Sequence, residues 1–417
     1  MPLIFLSGCG NSSDGDDSGN GQVRLVNATT DYASLDLFAT DALVSAGVPQ
    51  YGAGGYVSFG KGDVVFKLKR PDSGVTSLTT TRTVSSGVSG SLIAYTTGGT
   101  LRTAFSADIE TAPSSGAAKL RIFNSSIEAG SVDVYLTAVG SSLDDLAAMT
   151  SSLASGSFNG YAEISAGSYR LVVTGAGDKT DVRLDIPSIT LANQQIATLI
   201  LTSTPGGVLV HGLVLNQAGT ATAQKNSSAR IRLLANVTSN GVVAASINGK
   251  ALSAGFVSPI VGAYTLIPAD ALTADIRVNG VAVPAPGLNA TPGADLSLMV
   301  LGTPASPQVF LLSDDNSPPL TATYTKLRLV HGVNKLNGST TMTVDYSAIA
   351  TDVPFGNAST PASVLAGTTT HQLEVSSPVY SGALYLATDI SLQAAHVYTV
   401  FMLGDTSAPL GVLRRDR

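Results

Sequence analysis

One strand-like segment recurs four times along the chain, and its period constrains the fold more than any other feature. It reads Val23-Arg24-Leu25-Val26, Leu120-Arg121-Ile122-Phe123, Ile231-Arg232-Leu233-Leu234 and Leu327-Arg328-Leu329-Val330. The four arginines stand 97, 111 and 96 residues apart. That period is a whole small domain, not the roughly 20–50 residues of a solenoid repeat. Units of this size can each bury a core of their own. Turn-rich linkers at Thr111–Gly116, Gln217–Ser228 and Ser313–Pro319 separate them. The expected layout is a leader and tether over 1–20, then units over 21–112, 113–224, 225–320 and 321–417.

Two further markers repeat inside the units. Asp36 lies 12 residues past Arg24 and Asp133 lies 12 past Arg121; Ala244 takes that place in the third unit. In the fourth, Asp345 comes 17 past Arg328, which implies an insertion at Asn334–Thr340. The other marker reads as a hairpin. Gly55-Tyr56-Val57-Ser58-Phe59 leads through Gly62 into Val64–Leu68, and Gly160-Tyr161-Ala162-Glu163-Ile164 leads through Gly167 into Tyr169–Val173. In the third copy Asp270 stands at the glycine position. Period-two alternation ending in a glycine turn is the pattern of half-buried strands.

Composition agrees. Only 12% of residues are charged, Trp is absent and there are 43 Gly, whereas helical bundles and coiled coils need Lys, Glu and Leu repeats. One short segment, Leu143–Met149, reads as a single helical turn on a connection. The expected fold is all-β: tandem antiparallel β-sandwich domains, immunoglobulin-like or transthyretin-like, arranged as beads on a string. The Arg-bearing and Asp-bearing strands are expected to share a sheet. Arg24 with Asp36, Arg121 with Asp133 and Arg328 with Asp345 would then form structural ion pairs. Leu25, Leu37, Ile122 and Val134 should face the cores, and Tyr56 and Tyr161 should hold equivalent places. Exchange of a strand between neighbours is expected, if anywhere, at the third unit.

The Arg-bearing strand start, the Val132-Asp-Val-Tyr-Leu136 stretch, the Asp144-Asp-Leu-Ala-Ala148 connection and the Gly-Tyr marker with its glycine turn together resemble the bacterial domain-of-unknown-function 4397 family, best in the second unit. That family usually carries a His-x-Ser-Pro-Asp-Ala-Pro stretch after the strand-start Arg. Here His331 alone matches its His, with Asn27, Asn124 and Ala235 in the other copies, and the Ser-Pro-Asp-Ala-Pro run is missing. The resemblance implies exported, tandem, sandwich-like surface domains, often on lipoproteins, with no established activity.

Leu6-Ser7-Gly8-Cys9 resembles a bacterial lipobox, and Cys9 is the only cysteine. Its thiol is the expected lipid attachment point. A signal peptide also has a basic n-region and an apolar stretch of ~7–15 residues; here the apolar run is only Leu3–Leu6, so the remainder is expected upstream of Met1. Two acyl chains anchor a protein stably where one alone is marginal. The acidic stretch that follows, Gly10–Asn20, reads as a flexible tether. Gly10 after the cysteine, by the sorting rule it resembles, directs the protein to the outer membrane or cell surface of a bacterium.

No catalytic constellation, metal site or cofactor motif stands out. His211, His331, His371 and His396 lack metal-ligand spacing. His331 reads as a hydrogen-bonded residue at a strand end. Gly175–Thr180 lacks the Gly-Lys-Ser/Thr adjacency of a phosphate loop and sits at a hairpin tip. Arg414–Arg417 reads as a solvated end. A net charge of −6 argues against the basic face that nucleic acid requires, so no nucleic-acid partner is expected. The expected function is non-enzymatic: a lipid-anchored cell-envelope protein acting as a structural, adhesion or ligand-binding module, with the membrane as one partner and polysaccharide or a surface protein as another. The alternative is a secreted or periplasmic hydrolase, or a metal-dependent binding protein with a loop-borne site.

Overall fold

The computed structural model describes residues 19–285, 287–367 and 369–417. The tether up to Ser18, with Cys9, Leu6, Ser7 and Gly8, lies outside the described residues. The secondary structure of the described residues is all β. Two compact units divide the chain. One holds the described residues up to Tyr95 with Leu101–Thr111; the other holds Thr96–Thr100 with Ala112–Arg417.

The first repeat shows how each Arg-bearing strand is used. Asn20–Asn27 is flanked on one side by Gly52–Ala53 and Val57–Gly60 and on the other by Ser89–Thr97, which Thr100–Ala107 follows. The facing sheet runs Ala42–Pro49, Ser34–Ala39, Gly62–Lys69, Thr76–Val84. Val23, Leu25, Leu92 and Ala94 of the first sheet meet Leu35, Leu37, Phe66 and Leu68 of the second. Separate cores of the same kind form around Leu120, Ile122 and Val134, around Ile231 and Leu233, and around Leu327 and Leu329. The expected core residues Leu25, Leu37, Ile122 and Val134 are all fully buried.

Pairing is antiparallel with one recurring exception. Each Arg-bearing strand runs parallel to a late strand of its own repeat: Ser89–Thr97, Ile196–Thr202, Asp295–Thr303 and Val397–Asp405. A parallel pair needs a long crossover, and here the whole second sheet is that crossover. The register places Arg24 opposite Ser91, Arg121 opposite Thr198, Arg232 opposite Ser297 and Arg328 opposite Thr399.

Two expectations are corrected. The Gly-Tyr marker is not a hairpin. Val57–Gly60 pairs with the Arg-bearing strand, whereas Gly62–Lys69 pairs with Ser34–Ala39 in the other sheet. The turn at Gly62 therefore carries the chain across the sandwich. Alternation registers two strands and a turn, but not whether they hydrogen-bond to each other. Gly62 adopts φ +132° and Asp270, its counterpart, φ +78°, a region in which a side chain is strained. Second, the Arg-bearing and Asp-bearing strands lie in opposite sheets. No strand passes from one repeat to another in the sheets of the described residues. The third repeat instead gains a small sheet of its own, Asp270–Leu272 with Leu288–Ala290. Leu143–Met149 closes one turn, with Leu146 N–H donating to the Leu143 carbonyl at 3.1 Å.

Candidate functional site

The parallel register builds the same polar cluster on the outer face of the Arg-bearing sheets. In the first repeat Arg24 Nε donates to Ser91 Oγ at 2.8 Å, and Ser91 Oγ donates to Asp108 Oδ2 at 2.6 Å. Tyr56 lies under the guanidinium, 4.7 Å from its ring centroid, and its hydroxyl donates to Asp108 at 2.7 Å. Burial, reinforced by the Asp108 carboxylate, pushes the Tyr56 hydroxyl up to about 12. In the second repeat Arg121 Nε donates to Thr198 Oγ1 at 2.9 Å over the ring of Tyr161, 4.4 Å away. Tyr56 and Tyr161 thus hold equivalent places.

The third and fourth repeats carry the cluster furthest. Arg232 Nε donates to Ser297 Oγ at 2.8 Å, and its Nη2 lies 3.2 Å from Asp314. Arg328 Nε donates to Thr399 Oγ1 at 3.1 Å, and Thr399 donates to Asp416 at 2.6 Å. The acids are also exchanged: Arg232 pairs with Asp416, and Arg328 pairs with Asp314. The side chains of all four are at most 4% exposed. Burial raises the Asp314 carboxyl, but Arg328 and Arg232 outweigh it and hold the group below the ordinary carboxylate value. Around this cluster the two outer faces bury Leu234, Val261, Met299 and Leu301 against Val330, Phe401 and Leu403. Asn236 Nδ2 donates to the carbonyls of Gly332 and Gly404 at 2.7 and 2.8 Å, and Asn334 Nδ2 returns a bond to the Asn236 carbonyl at 2.8 Å.

The ion pairs expected from the sequence are therefore corrected. Arg24 meets Asp108 rather than Asp36, and Arg328 meets Asp314 rather than Asp345. Asp133 is engaged with backbone rather than with Arg121. Asp36 accepts the Gly47 N–H at 2.6 Å, and Asp133 accepts those of Ser152 and Gly177 at 2.7 and 2.9 Å. Both carboxylates stitch the neighbouring edge strand where its register shifts by a bulge. In the fourth repeat Thr341, opposite Ser376, holds the place that Asp133 holds opposite Thr174. Asp345 lies instead in the next turn, at φ +48°, where it accepts the Gln372 N–H at 2.9 Å and contacts His371 Nδ1 at 2.7 Å.

The true acid partners were missed because each closes its repeat: Asp108, Asp314 and Asp416 end the last strand or follow it directly. Their recurrence was a readable signal. The terminal Arg414–Arg417 is another correction. Asp416 is buried, Arg414 donates to the Val261 carbonyl at 2.9 Å and Arg417 to the Gly207 carbonyl at 2.6 Å.

His331 ends its strand with Nε2 3.2 Å from the Gly338 carbonyl and Nδ1 accepting the Val333 N–H at 3.3 Å. Asn27 and Asn124 do the same work, donating to Val48 and Leu153 carbonyls at 3.1 Å. Among the described residues, no three His, Cys, Asp or Glu side chains converge as metal ligands. The acidic turns have other partners: Asp181 with Arg183, Asp185 with Arg170 and Asp315 with Lys326.

Two-sheet sandwiches that each carry a recurring polar cluster on the outer face of the Arg-bearing sheet define a modular β protein. Within that class, residues 21–135 match the family described as "Domain of unknown function (DUF4397)". The match takes in the first repeat and the opening strands of the second. Among solved structures, the chain resembles the carbohydrate-binding module CBMbc (family CBM26) of Eubacterium rectale Amy13K, solved in complex with maltoheptaose. There the identity is 9%, the coverage 49% of this chain and 95% of that one, and the TM-score 0.14. It also resembles the Bacillus anthracis TIE protein, at 11% identity, 93% and 68% coverage and a TM-score of 0.16. At such scores neither likeness assigns a role to this chain. No curated protein matches.

Proposed function

We propose that the protein is a non-enzymatic, lipid-anchored module of the bacterial cell envelope that acts in adhesion, ligand binding or as a structural spacer. One observation carries this reading. The charged residues that the repeats share, Arg24, Arg232 and Arg328 with Asp108, Asp314 and Asp416, are spent on joining strands and sheets. What recurs is architecture rather than a reacting group. The lipobox Leu6-Ser7-Gly8-Cys9 supplies the anchor in this reading, and the outer membrane or cell surface is the address. Polysaccharide or a surface protein is the second partner.

Fractionation of cells expressing the protein with its native upstream sequence tests the anchor. The wild type is expected in the membrane fraction, carrying label from radioactive palmitate, and Cys9→Ser is expected unlabelled and soluble. A membrane-bound Cys9→Ser protein would reject the anchor. Adhesion of beads coated with the chain to bacterial envelope polysaccharide, against uncoated beads, tests the second partner.

A further inference from the structure

The seam between the third and fourth repeats ends in a groove of about 580 Å³. One wall is the tip of the hairpin formed by Asp295–Thr303 and Ser306–Asp314, with Gln308 on its rim. The other is the loop Asn334–Ser339, with Asn337 exposed, and Phe355 closes one side. Its volume lies within the range of small-molecule sites.

The loop is held before any ligand arrives. Asn334 accepts the Gly302 N–H at 2.9 Å and donates to the Asn236 carbonyl at 2.8 Å, so it is tied to the third repeat from both ends of its amide. His331 contacts the Gly338 carbonyl at 3.2 Å, and Ser339 Oγ donates to Asp352 at 3.2 Å. Lys335 is held at φ +64°. A wall fixed in this way loses little entropy on binding.

The lining chemistry selects the ligand. Gln308 and Asn337 present exposed amides, each of which both donates and accepts. Phe355 is half-buried, its ring edge-packed on Phe310 and His331 at centroid distances of 6.0 and 5.7 Å. Lys335 carries the only charge among the lining residues, and Asp405, 3.1 Å away, already pairs with it. A phosphate or an acidic chain would have to compete with the Asp405 carboxylate for that one cation, and a purely apolar ligand would strand the amides. Vicinal hydroxyls above an apolar ring face satisfy both. We infer that this groove binds a short neutral oligosaccharide, hydrogen-bonded by Gln308 and Asn337 and packed on Phe355.

The inference rests on the ligand-binding reading above. Calorimetric titration of the full chain with cellotriose, maltotriose and chitotriose, and with tripolyphosphate as the anionic control, tests it. At least one trisaccharide is expected to bind with one-to-one stoichiometry, and tripolyphosphate is not. The double variant Gln308→Ala with Asn337→Ala changes exposed side chains and should keep the wild-type melting temperature. It should weaken binding roughly tenfold or more, and Phe355→Ala should weaken it likewise. Trisaccharide binding unchanged in both variants would reject the groove while leaving the chain a glycan binder. Binding of tripolyphosphate alone, or of none of these probes, would also reject it. The bead-adhesion assay with the double variant then decides the wider reading on its own: adhesion retained supports it, and adhesion absent already in the wild type rejects it.

Discussion

Asp314 concentrates the chemistry of the molecule at the scale of one residue. Its carboxylate faces Arg232 and Arg328 and receives the hydroxyls of Ser297 and Tyr264. Buried pairs of this kind add little net stability over an apolar packing, but breaking one leaves a charge stranded without water. Asp314→Asn keeps the shape and removes the charge that two buried guanidinium groups share. It is expected to cost about 3–5 kcal/mol in denaturant unfolding of the full chain. A loss below about 1 kcal/mol, as for an exposed pair, would show that the two arginines are neutralised by Asp416 alone. The Arg side of this cluster was legible in the sequence, because the arginine recurs on a short apolar motif. The acid side was assigned to Asp36, Asp133 and Asp345 because an aspartate recurs after the arginine, 12 residues on in the first two repeats, on a strand expected to lie beside it. Pairing is decided by which strand ends across the sheet, and that partner comes 82 residues after Arg232.

At the scale of elements, the strands were legible and their partners less so. Alternation located Val57–Gly60 and Gly62–Lys69, yet the sandwich separates them because each satisfies its backbone with a different neighbour. The junction between the second and third repeats carries a titratable pin. His211, at the start of the strand His211–Asn216, accepts the Asn226 N–H on Nδ1 at 3.0 Å. Asn226 Nδ2 donates in turn to the Val210 and Arg183 carbonyls at 3.0 and 2.7 Å. Burial, with the Lys225 charge adding to it, lowers His211 to about 4 from an ordinary 6.5. The unfolded chain therefore takes up this proton first as the pH falls. Stability from this group is whole above pH 6.5 and is lost progressively toward pH 4, the loss levelling off at about 3 kcal/mol below that. Denaturation midpoints measured between pH 7 and pH 4 should fall for the wild type and fall less steeply for His211→Gln. Equal slopes would remove His211 as the cause.

At the scale of the larger unit, the third and fourth repeats are joined face to face. Within the strands Asp295–Thr303 and Val397–Asp405, residues 298–301 and 400–403 are continuous apolar runs, and such runs mark strands buried on both faces. Leu298 and Val400 fill their own sandwiches, whereas Met299 and Phe401 fill the seam. Phe401→Ala is expected to cost about 3–5 kcal/mol through the cavity it leaves. The loss should uncouple the two repeats, so calorimetric unfolding should gain a second transition. A single transition at the wild-type temperature would mean that the seam does not couple them.

By itself the sequence determined the recurrence of the Arg-bearing strand, the all-β character and the inward faces at Leu25, Leu37, Ile122 and Val134. These follow from local rules of period, turn chemistry and propensity, which act over a few neighbouring residues. The tertiary structure alone decided that the turn at Gly62 crosses between sheets, that Asp314 and Asp416 answer Arg328 and Arg232 across a seam, and that Thr341 rather than Asp345 sits at the bulge. Each is a contact between segments far apart in the chain, chosen by competition for buried hydrogen bonds and charge partners. That competition is resolved only when the sheets pack, so even the recurrence of Asp108, Asp314 and Asp416 at the repeat ends does not say which arginine each one meets.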